Sequence, residues 1–250
     1  MRLADRGPVL YRMLHAVLPP VINAVWRPLV EGLGNVPASG PAIIAANHLS
    51  FSDSVFLPAA LQRPVYYLGK ADYFRGWQRY FYENVGVMPV ARQGGDAGEA
   101  SLRRGLQVLR RGRLLGIYPE GTRSPDGRLY RGKTGPARLA MRSGAPIIPV
   151  GIVGTDRVLP TGAKRPRMHQ VTLRIGRPLH IAGRYGRSED NHFALRSATD
   201  ELMYELMLLS GQTYVDEYAA KVKSGEVTIG SGDLEELGGL LDEPPLRRAS

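Results

Sequence analysis

The chain has 250 residues, a length that fits one α/β domain, and its 43% hydrophobic and 22% charged residues are typical of a globular protein. It contains no cysteine, which excludes a disulfide framework, a thiol nucleophile and any cysteine-ligated metal centre. The formal net charge of +10 predicts an anionic partner: nucleic acid, an anionic membrane surface or a phosphorylated substrate.

The first 33 residues predict two short amphipathic helices separated by Pro19 and Pro20. Two interpretations stay open: a helical pair in the membrane interface, with Trp26 at the depth of the lipid headgroups, or helices that pack on the domain. The uncharged run 13–26 is too short to span a bilayer, and no signal peptide fits. We therefore expect a peripheral or monotopic protein on the cytoplasmic face of the cell membrane. The two apolar stripes are Val9, Leu10, Met13, Leu14, Val17 and Leu18, followed by Ile22, Val25, Trp26, Leu29 and Val30.

Between residues 34 and 210, apolar runs alternate with segments of helical periodicity. The predicted strands are 42–46, 65–68, 86–90, 114–118, 147–152 and 171–175, and the predicted helices are 54–61, 96–110, 134–143 and 188–209. This alternation predicts a single layered α/β domain with a mostly parallel or mixed sheet flanked by helices.

The C-terminal part of the chain differs in composition. Residues 211–250 hold eight acidic and four basic residues, so the body up to residue 210 holds 29 basic against 15 acidic ones. The segment is also rich in glycine, and we predict that it forms an acidic, flexible tail.

A histidine and an aspartate follow the first of these predicted strands at the spacing His-x4-Asp. They are His48 and Asp53, and Asp53 stands where the next helix is expected to begin. Reactive groups of α/β sheets lie at such strand ends. A histidine there can act as a general base if a carboxylate holds its other ring nitrogen.

A second motif, 118–124, follows the predicted strand 114–118. Pro119 and Gly121 force a tight turn there, and turn amides beside the guanidinium of Arg123 suit a phosphate group. A plain β-turn with a surface arginine is an equally good interpretation of this motif alone.

The ordered motifs together resemble the glycerolipid acyltransferase family, and specifically bacterial 1-acyl-sn-glycerol-3-phosphate acyltransferases of the PlsC type. The segments that carry the resemblance are the two motifs above with 69–74, 86–92, 131–135 and 147–152. The resemblance implies transfer of a fatty acyl group from acyl-CoA or acyl carrier protein to the free hydroxyl of lysophosphatidic acid, which gives phosphatidic acid.

The resemblance also implies roles for individual residues. His48 would be the general base, and Asp53 would orient it. Glu120 would order the second motif, through a neighbouring arginine or through hydrogen bonds from the acceptor hydroxyl or from loop amides. The residues assigned to acceptor binding by motif position are Lys70, Arg92, Glu120, Gly121, Thr122, Arg123 and Lys133.

Other functions remain as alternatives. The same chemistry on glycerol 3-phosphate, another lysophospholipid or a glycolipid is the nearest. A nucleic-acid-binding protein is disfavoured because no basic and aromatic stacking strip is apparent, and an inactive membrane scaffold because both motifs are intact. The five histidines show no paired ligand spacing, so we expect no metal and no cofactor.

Overall fold

The computed structural model of the chain describes residues 9–70, 87–90, 97–187 and 191–229. The described strands are β1 Leu29–Glu31, β2 Ala42–Ala46, β3 Val65–Lys70, β4 Val87–Val90, β5 Leu114–Ile117, β6 Leu129–Tyr130, β7 Ile147–Val153, β8 Thr172–Ile175 and β9 Tyr214–Val215. Seven of them form a central sheet of order β1-β8-β7-β2-β5-β3-β4, and the two short strands β6 and β9 pair separately.

Helices precede, connect and follow these strands. They are α1 Val9–Val25, α2 Asp53–Ala60, α3 Ala97–Arg110, α4 Gly135–Ser143, α5 Thr155–Val158, α6 Ile181–Tyr185, α7 His192–Ser210 and α8 Ala219–Ser224, with a 3-10 turn at Leu33–Asn35. All six predicted strands and all four predicted helices of the central region are present, with bounds that differ by a few residues.

The sheet is mostly parallel. Strand β2 runs parallel to β5 and β7, and β3 runs parallel to β4 and β5. Only β8, antiparallel to β7, and its parallel neighbour β1 reverse the direction among the described strands. The predicted mixed or mostly parallel sheet is confirmed, and the carboxyl ends of β2, β3, β5 and β7 lie at one edge.

Both faces of the sheet are covered, which explains the uninterrupted apolar runs of its strands. Every residue of β2 is fully buried. Its Ile43 and Ala45 belong to one core with residues of α3, α4 and α7. Ile44 and Ala46 belong to the opposite core, which includes Leu57 of α2. The helices therefore hold β2, and the loop that follows it, from both sides.

The prediction of two N-terminal helices is wrong. One helix, α1, continues through Pro19 and Pro20, whose fixed φ suits a helix even though each removes a hydrogen-bond donor. The single helix ends at Val25, and Leu29–Glu31, which the sequence placed at the end of a second helix, pairs instead as strand β1 with β8. The indole N–H of Trp26 donates to the carbonyl of Arg167, and its ring packs edge-on against Phe56.

The prediction of a flexible tail from residue 211 is also wrong for its first part. Strand β9 pairs with β6, and helix α8 follows it. The amide of Arg131 donates to the carbonyls of Val215 and Glu217, which fixes this segment beside β6. Residues 230–250 of the predicted tail lie outside the described residues.

Gly151 of β7 provides a test of the close contact between the sheet and α7. A Cβ atom there would lie 2.4 Å from the carbonyl carbon of Leu209, so neither backbone has room to move. We expect Gly151→Ala to lower the free energy of unfolding by about 1–3 kcal/mol, measured by urea denaturation. Gly98→Ala in α3, where nothing lies within 4 Å of the new Cβ, is the matched control. An equal loss in both variants would contradict the predicted clash.

Candidate active site

The loop between β2 and α2 places His48 against Asp53. The loop leaves the sheet at its carboxyl edge, and α2 begins at Asp53. The Nδ1 atom of His48 lies 2.8 Å from the Oδ2 atom of Asp53. The His48 side chain keeps 16% of its surface exposed, whereas the Asp53 side chain is fully buried. The predicted pair therefore forms, with its histidine open to solvent.

The carboxylate of Asp53 organises the whole loop. Its Oδ2 atom also accepts hydrogen bonds from the backbone amides of Leu49, at 2.7 Å, and Ser50, at 2.9 Å. A carboxylate only accepts, so Nδ1 of His48 must carry the proton in their shared hydrogen bond. The lone pair of the neutral ring is then on Nε2, which has no hydrogen bond to any described residue. This is the tautomer that a general base requires.

Aromatic rings stack behind His48. The ring of Tyr118 lies parallel to the imidazole, with 3.9 Å between the centroids and 10° between the planes. Tyr67 stacks on the far side of Tyr118 at 5.9 Å. Gly116 makes room for the Tyr67 ring, since a Cβ atom on Gly116 would lie 2.4 Å from that ring. Burial, with the negative charge of Asp53, raises the pKa of Tyr118, so its hydroxyl stays neutral beside that of Ser54, 3.0 Å away.

Glu120 connects the two motifs. One carboxylate oxygen accepts the backbone N–H of His48 and the other accepts that of Tyr130, each at 3.0 Å. Its side chain is almost completely buried. Of the contacts considered in the sequence analysis, those with loop amides are present, so the geometry makes Glu120 a positioning residue rather than a phosphate ligand. Burial raises its pKa to about 7, although the two amide bonds oppose that change.

The turn after β5 lies directly against His48. The amide of Ser124 donates to the His48 carbonyl at 2.7 Å. Gly121 has a φ of +74°, and the end of the Lys133 side chain lies over it, since a Cβ on Gly121 would be 3.1 Å from Lys133 Nζ. Arg123 is partly buried on the same turn. The structure thus brings Gly121, Thr122, Arg123 and Lys133 together beside the histidine loop.

Two further predicted residues come from the second block of the resemblance. Lys70 is the last residue of β3, so its backbone lies at the same carboxyl edge of the sheet as His48 and Tyr118. Only the backbone of Lys70 is described. Arg92 lies outside the described residues.

Several polar residues that hold the site belong to no motif recognised in the sequence. Asn47 is buried and exchanges two hydrogen bonds with the backbone of Ile152, joining β2 to β7. Its amide also donates to the side chain of Gln212, at 2.7 Å, and Gln212 in turn donates to the carbonyl of Gly127. Lys223 of α8 donates to the Thr122 hydroxyl at 3.1 Å. The available signal was weak: the β-prone Tyr214-Val215 and the helical 218–222 stand within an acidic, glycine-rich stretch.

Neither a metal-binding cluster nor a membrane-spanning helix is present in the described part of the chain. No cluster of three or more histidine, cysteine, aspartate or glutamate side chains is arranged there to hold a metal ion. No helix in those ranges has the length and hydropathy needed to cross a membrane.

A histidine–carboxylate pair at the edge of a mostly parallel sheet, beside an arginine-bearing turn, matches the architecture of an acyltransferase domain. The sequence model of the Acyltransferase family matches residues 27–153, and the chain belongs to this family. The match includes His48, Asp53 and the whole turn 118–124.

Individual relatives are named as 1-acyl-sn-glycerol-3-phosphate acyltransferases. The chain is 32% identical over 157 residues to a chloroplastic 1-acyl-sn-glycerol-3-phosphate acyltransferase of Arabidopsis thaliana, covering 60% of this chain and 43% of that protein. It is 28% identical over 176 residues to the 1-acyl-sn-glycerol-3-phosphate acyltransferase of Bacillus subtilis, covering 69% of this chain and 84% of the relative. The chain thus spans less than half the length of the plant relative and most of the bacterial one.

A solved structure agrees with the fold. The crystal structure of the 1-acyl-sn-glycerophosphate acyltransferase PlsC from Thermotoga maritima superposes with a TM-score of 0.63 at 23% identity. The match covers 80% of this chain and 79% of that one. At this identity, the likeness supports the α/β architecture alone.

The raised pKa of Glu120 makes a pH-dependent contribution to stability. The folded protein holds this proton up to about pH 7, whereas the unfolded chain releases it near the ordinary value of 4.5. The contribution is therefore fully present below 4.5 and is lost as the pH rises through 7. We expect the difference in unfolding free energy, wild type minus Glu120→Gln, to fall from pH 4.5 to 7 and then level off. A flat difference in urea titrations across this range would contradict the shift.

Proposed function

We propose that the protein is a 1-acyl-sn-glycerol-3-phosphate acyltransferase, which transfers a fatty acyl group from a thioester to lysophosphatidic acid and forms phosphatidic acid. The observation that carries this proposal is the His48–Asp53 pair, with the free Nε2 of His48 beside the turn that bears Arg123. The names of the relatives in Arabidopsis thaliana and Bacillus subtilis support the choice of acceptor.

The reaction proceeds by direct attack. His48 Nε2 takes the proton from the acceptor hydroxyl as its oxygen bonds to the thioester carbonyl carbon. The tetrahedral intermediate collapses, the carbon–sulfur bond breaks, and the imidazolium returns the proton to the leaving thiolate. Asp53 holds the ring and stabilises its positive charge through the 2.8 Å bond to Nδ1. The chain needs no nucleophile of its own, and it contains no cysteine.

The phosphate of the acceptor binds at the turn 121–124. Arg123 and Lys133 supply positive charge there, and the end of the Lys133 side chain lies over Gly121. By motif position, Lys70 and Arg92 are proposed as further cations of this site. Acyl-CoA and acyl carrier protein both present the required thioester, so either serves as donor.

The nearest alternative is the same transfer to glycerol 3-phosphate, a lysophospholipid or a glycolipid. A panel of these acceptors, offered with both donors to the purified protein, separates the possibilities. Mass spectrometry of the products gives the acceptor and the position of the new ester. Phosphatidic acid as the main product supports the proposal, and the absence of transfer to lysophosphatidic acid contradicts it.

The role of His48 gives a direct prediction. We expect His48→Gln and Asp53→Asn each to lower kcat by about 10²–10⁴-fold, because the first removes the base and the second removes the carboxylate that fixes its tautomer. Thiol release from the acyl donor, followed in the presence of acceptor, measures the loss.

His180→Gln is the matched control, since His180 is exposed and its side chain makes no capping hydrogen bond to α6. Circular dichroism shows whether each variant keeps the fold. Turnover close to that of the wild type in a folded His48→Gln protein would overturn the mechanism.

The protein meets its lipid substrates at a membrane surface. Helix α1 carries an apolar stripe of large side chains, spaced four residues apart and 37% to 63% exposed, formed by Met13, Val17, Val21 and Val25. Another side of the helix packs on the domain: Ile22 is buried with Phe56, Val158 and Val171. One side of α1 thus packs on the domain, and we propose that the other, exposed side contacts the membrane.

Charge supports the same surface. The body up to residue 210 has 29 basic and 15 acidic residues, and an anionic leaflet attracts cations by about 1 kcal/mol for each lysine or arginine near it. Because α1 contacts α2, which begins at Asp53, the exposed stripe lies on the element next to the catalytic pair. A cytoplasmic, peripheral or monotopic location follows from this proposal.

We expect Val17→Ser/Val21→Ser to weaken binding to vesicles of phosphatidylcholine and phosphatidylglycerol by about tenfold or more, because each valine loses apolar contact area with the bilayer. Co-sedimentation measures the bound fraction. Phe193→Ser/Leu208→Ser on α7 is the control, since these apolar side chains are 80% and 57% exposed, against 63% for Val17 and 47% for Val21. Equal binding by both double variants would show that the stripe is not the membrane contact.

A further inference from the structure

The C-terminal segment returns to the phosphate turn and places a lysine on it. The Nζ atom of Lys223 donates to the Thr122 hydroxyl at 3.1 Å and also to the backbone carbonyl of Arg123. Residues 122 and 223 are 101 positions apart, so this contact depends on the tertiary fold rather than on neighbours in the chain. Lys223 also lies in the segment for which the sequence predicted flexibility.

The position of Lys223 is fixed by contacts before its helix begins. Strand β9 pairs with β6, and Arg131 donates its amide to the carbonyls of Val215 in β9 and Glu217 just after it. The guanidinium of Arg131 lies 5.5 Å above the ring of Tyr218, the residue that precedes α8. Helix α8 therefore starts from an anchored residue, and Lys223 lies about one helical turn further on.

The charges on the turn are unbalanced. Lys133 Nζ lies over Gly121, Lys223 Nζ contacts the Thr122 hydroxyl and the Arg123 carbonyl, and Arg123 belongs to the same turn. None of these three cations forms an ion pair with a carboxylate of the described part of the chain. The nearby carboxylate, Glu120, is buried and has both oxygens on backbone amides. Desolvation and the charge of Arg123 lower the pKa of Lys223. Cations gathered in this way repel one another unless an anion binds between them.

We propose that Lys223 is a ligand of the acceptor phosphate and completes, with Arg123 and Lys133, a cradle for a phosphate monoester. An ammonium group has three donors, and the contacts to Thr122 and Arg123 use two of them. The third is left for a phosphate oxygen, to which lysine binds as a point charge. This proposal rests on the proposed function and adds to it a residue from outside the matched region 27–153.

The test compares two lysines of one helix. Lys221 pairs with Glu217 at 3.9 Å, so Lys221→Met removes the same charge from α8 without touching the turn. We expect Lys223→Met to raise the KM for lysophosphatidic acid by about 10- to 100-fold, the value of one charge-assisted hydrogen bond, and to leave the KM for the acyl donor unchanged. Lys221→Met should leave both constants as they are in the wild type.

A further variant distinguishes phosphate binding by Lys223 from a purely structural contact with the turn. Lys223→Gln keeps a donor for the Thr122 hydroxyl and the Arg123 carbonyl but removes the charge. We expect it to behave as Lys223→Met does, and we expect Lys223→Arg to restore most of the affinity. Glycerol 3-phosphate, used as a competitive inhibitor, should lose affinity in Lys223→Met and Lys223→Gln by the same factor as the acceptor. A normal inhibition constant in Lys223→Gln would show that the lysine only holds the turn, and would overturn the proposal.

The outcomes for the two proposals are distinguishable. If the wild type does not acylate lysophosphatidic acid, the proposed function fails, and the role of Lys223 fails with it. If the wild type is active and Lys223→Met matches Lys221→Met, the proposed function stands and only the role of Lys223 is overturned.

Discussion

The Asp53 carboxylate has no contact with solvent, and a buried negative charge is costly unless hydrogen-bond donors surround it. Three donors of the loop 48–50 converge on its Oδ2 atom: the ring of His48 and the amides of Leu49 and Ser50. The buried Oδ1 atom has no hydrogen-bond partner among the described residues. The bonds to Oδ2 set the path of the loop and the direction of the imidazole. For the proposed general base, this means that the fold orients the imidazole before any substrate arrives, which is the condition for efficient proton transfer.

The parallel sheet brings the second motif to that loop. His48 and Glu120 are 72 residues apart, yet both follow strands, β2 and β5, that pair side by side in the same direction. Glu120 then satisfies the amide of His48, and Ser124 satisfies its carbonyl. The proposed general base and the turn 121–124 are consequently held against each other by hydrogen bonds. Glu120 achieves this without offering a free carboxylate oxygen that would repel a phosphate.

The parts of this fold that the sequence predicts are those whose pattern has a local cause. Strands such as β2 are buried on both faces, so they appear as unbroken apolar runs, and the helices between them show their own period. The His-x4-Asp spacing also predicts its contact, because the helix that starts at Asp53 turns the carboxylate back toward the loop.

The remaining features depend on partners that are distant in the sequence. Residues 29–31 match a helical stripe, but pairing with β8 makes them a strand. The sequence left several contacts open for Glu120, and only the fold shows which amides it meets. Composition alone suggested that the segment after residue 211 is flexible, whereas pairing with β6 and the contact of Lys223 with the turn hold it in place.

The bond between Asn47 and Gln212 joins positions 165 residues apart, and it has a consequence for synthesis. A chain leaves the ribosome from its N-terminus, so the histidine loop and the turn at residue 121 emerge long before the segment that braces them. The strands of the sheet can pair while that segment is still being made. The contacts of Gln212 with Asn47 and of Lys223 with Thr122 form later, when residues 212–223 are free to fold back. A nascent chain that stops short of this segment can hold a sheet with the His48–Asp53 pair on it, while the turn at residue 121 still lacks its contact with Lys223.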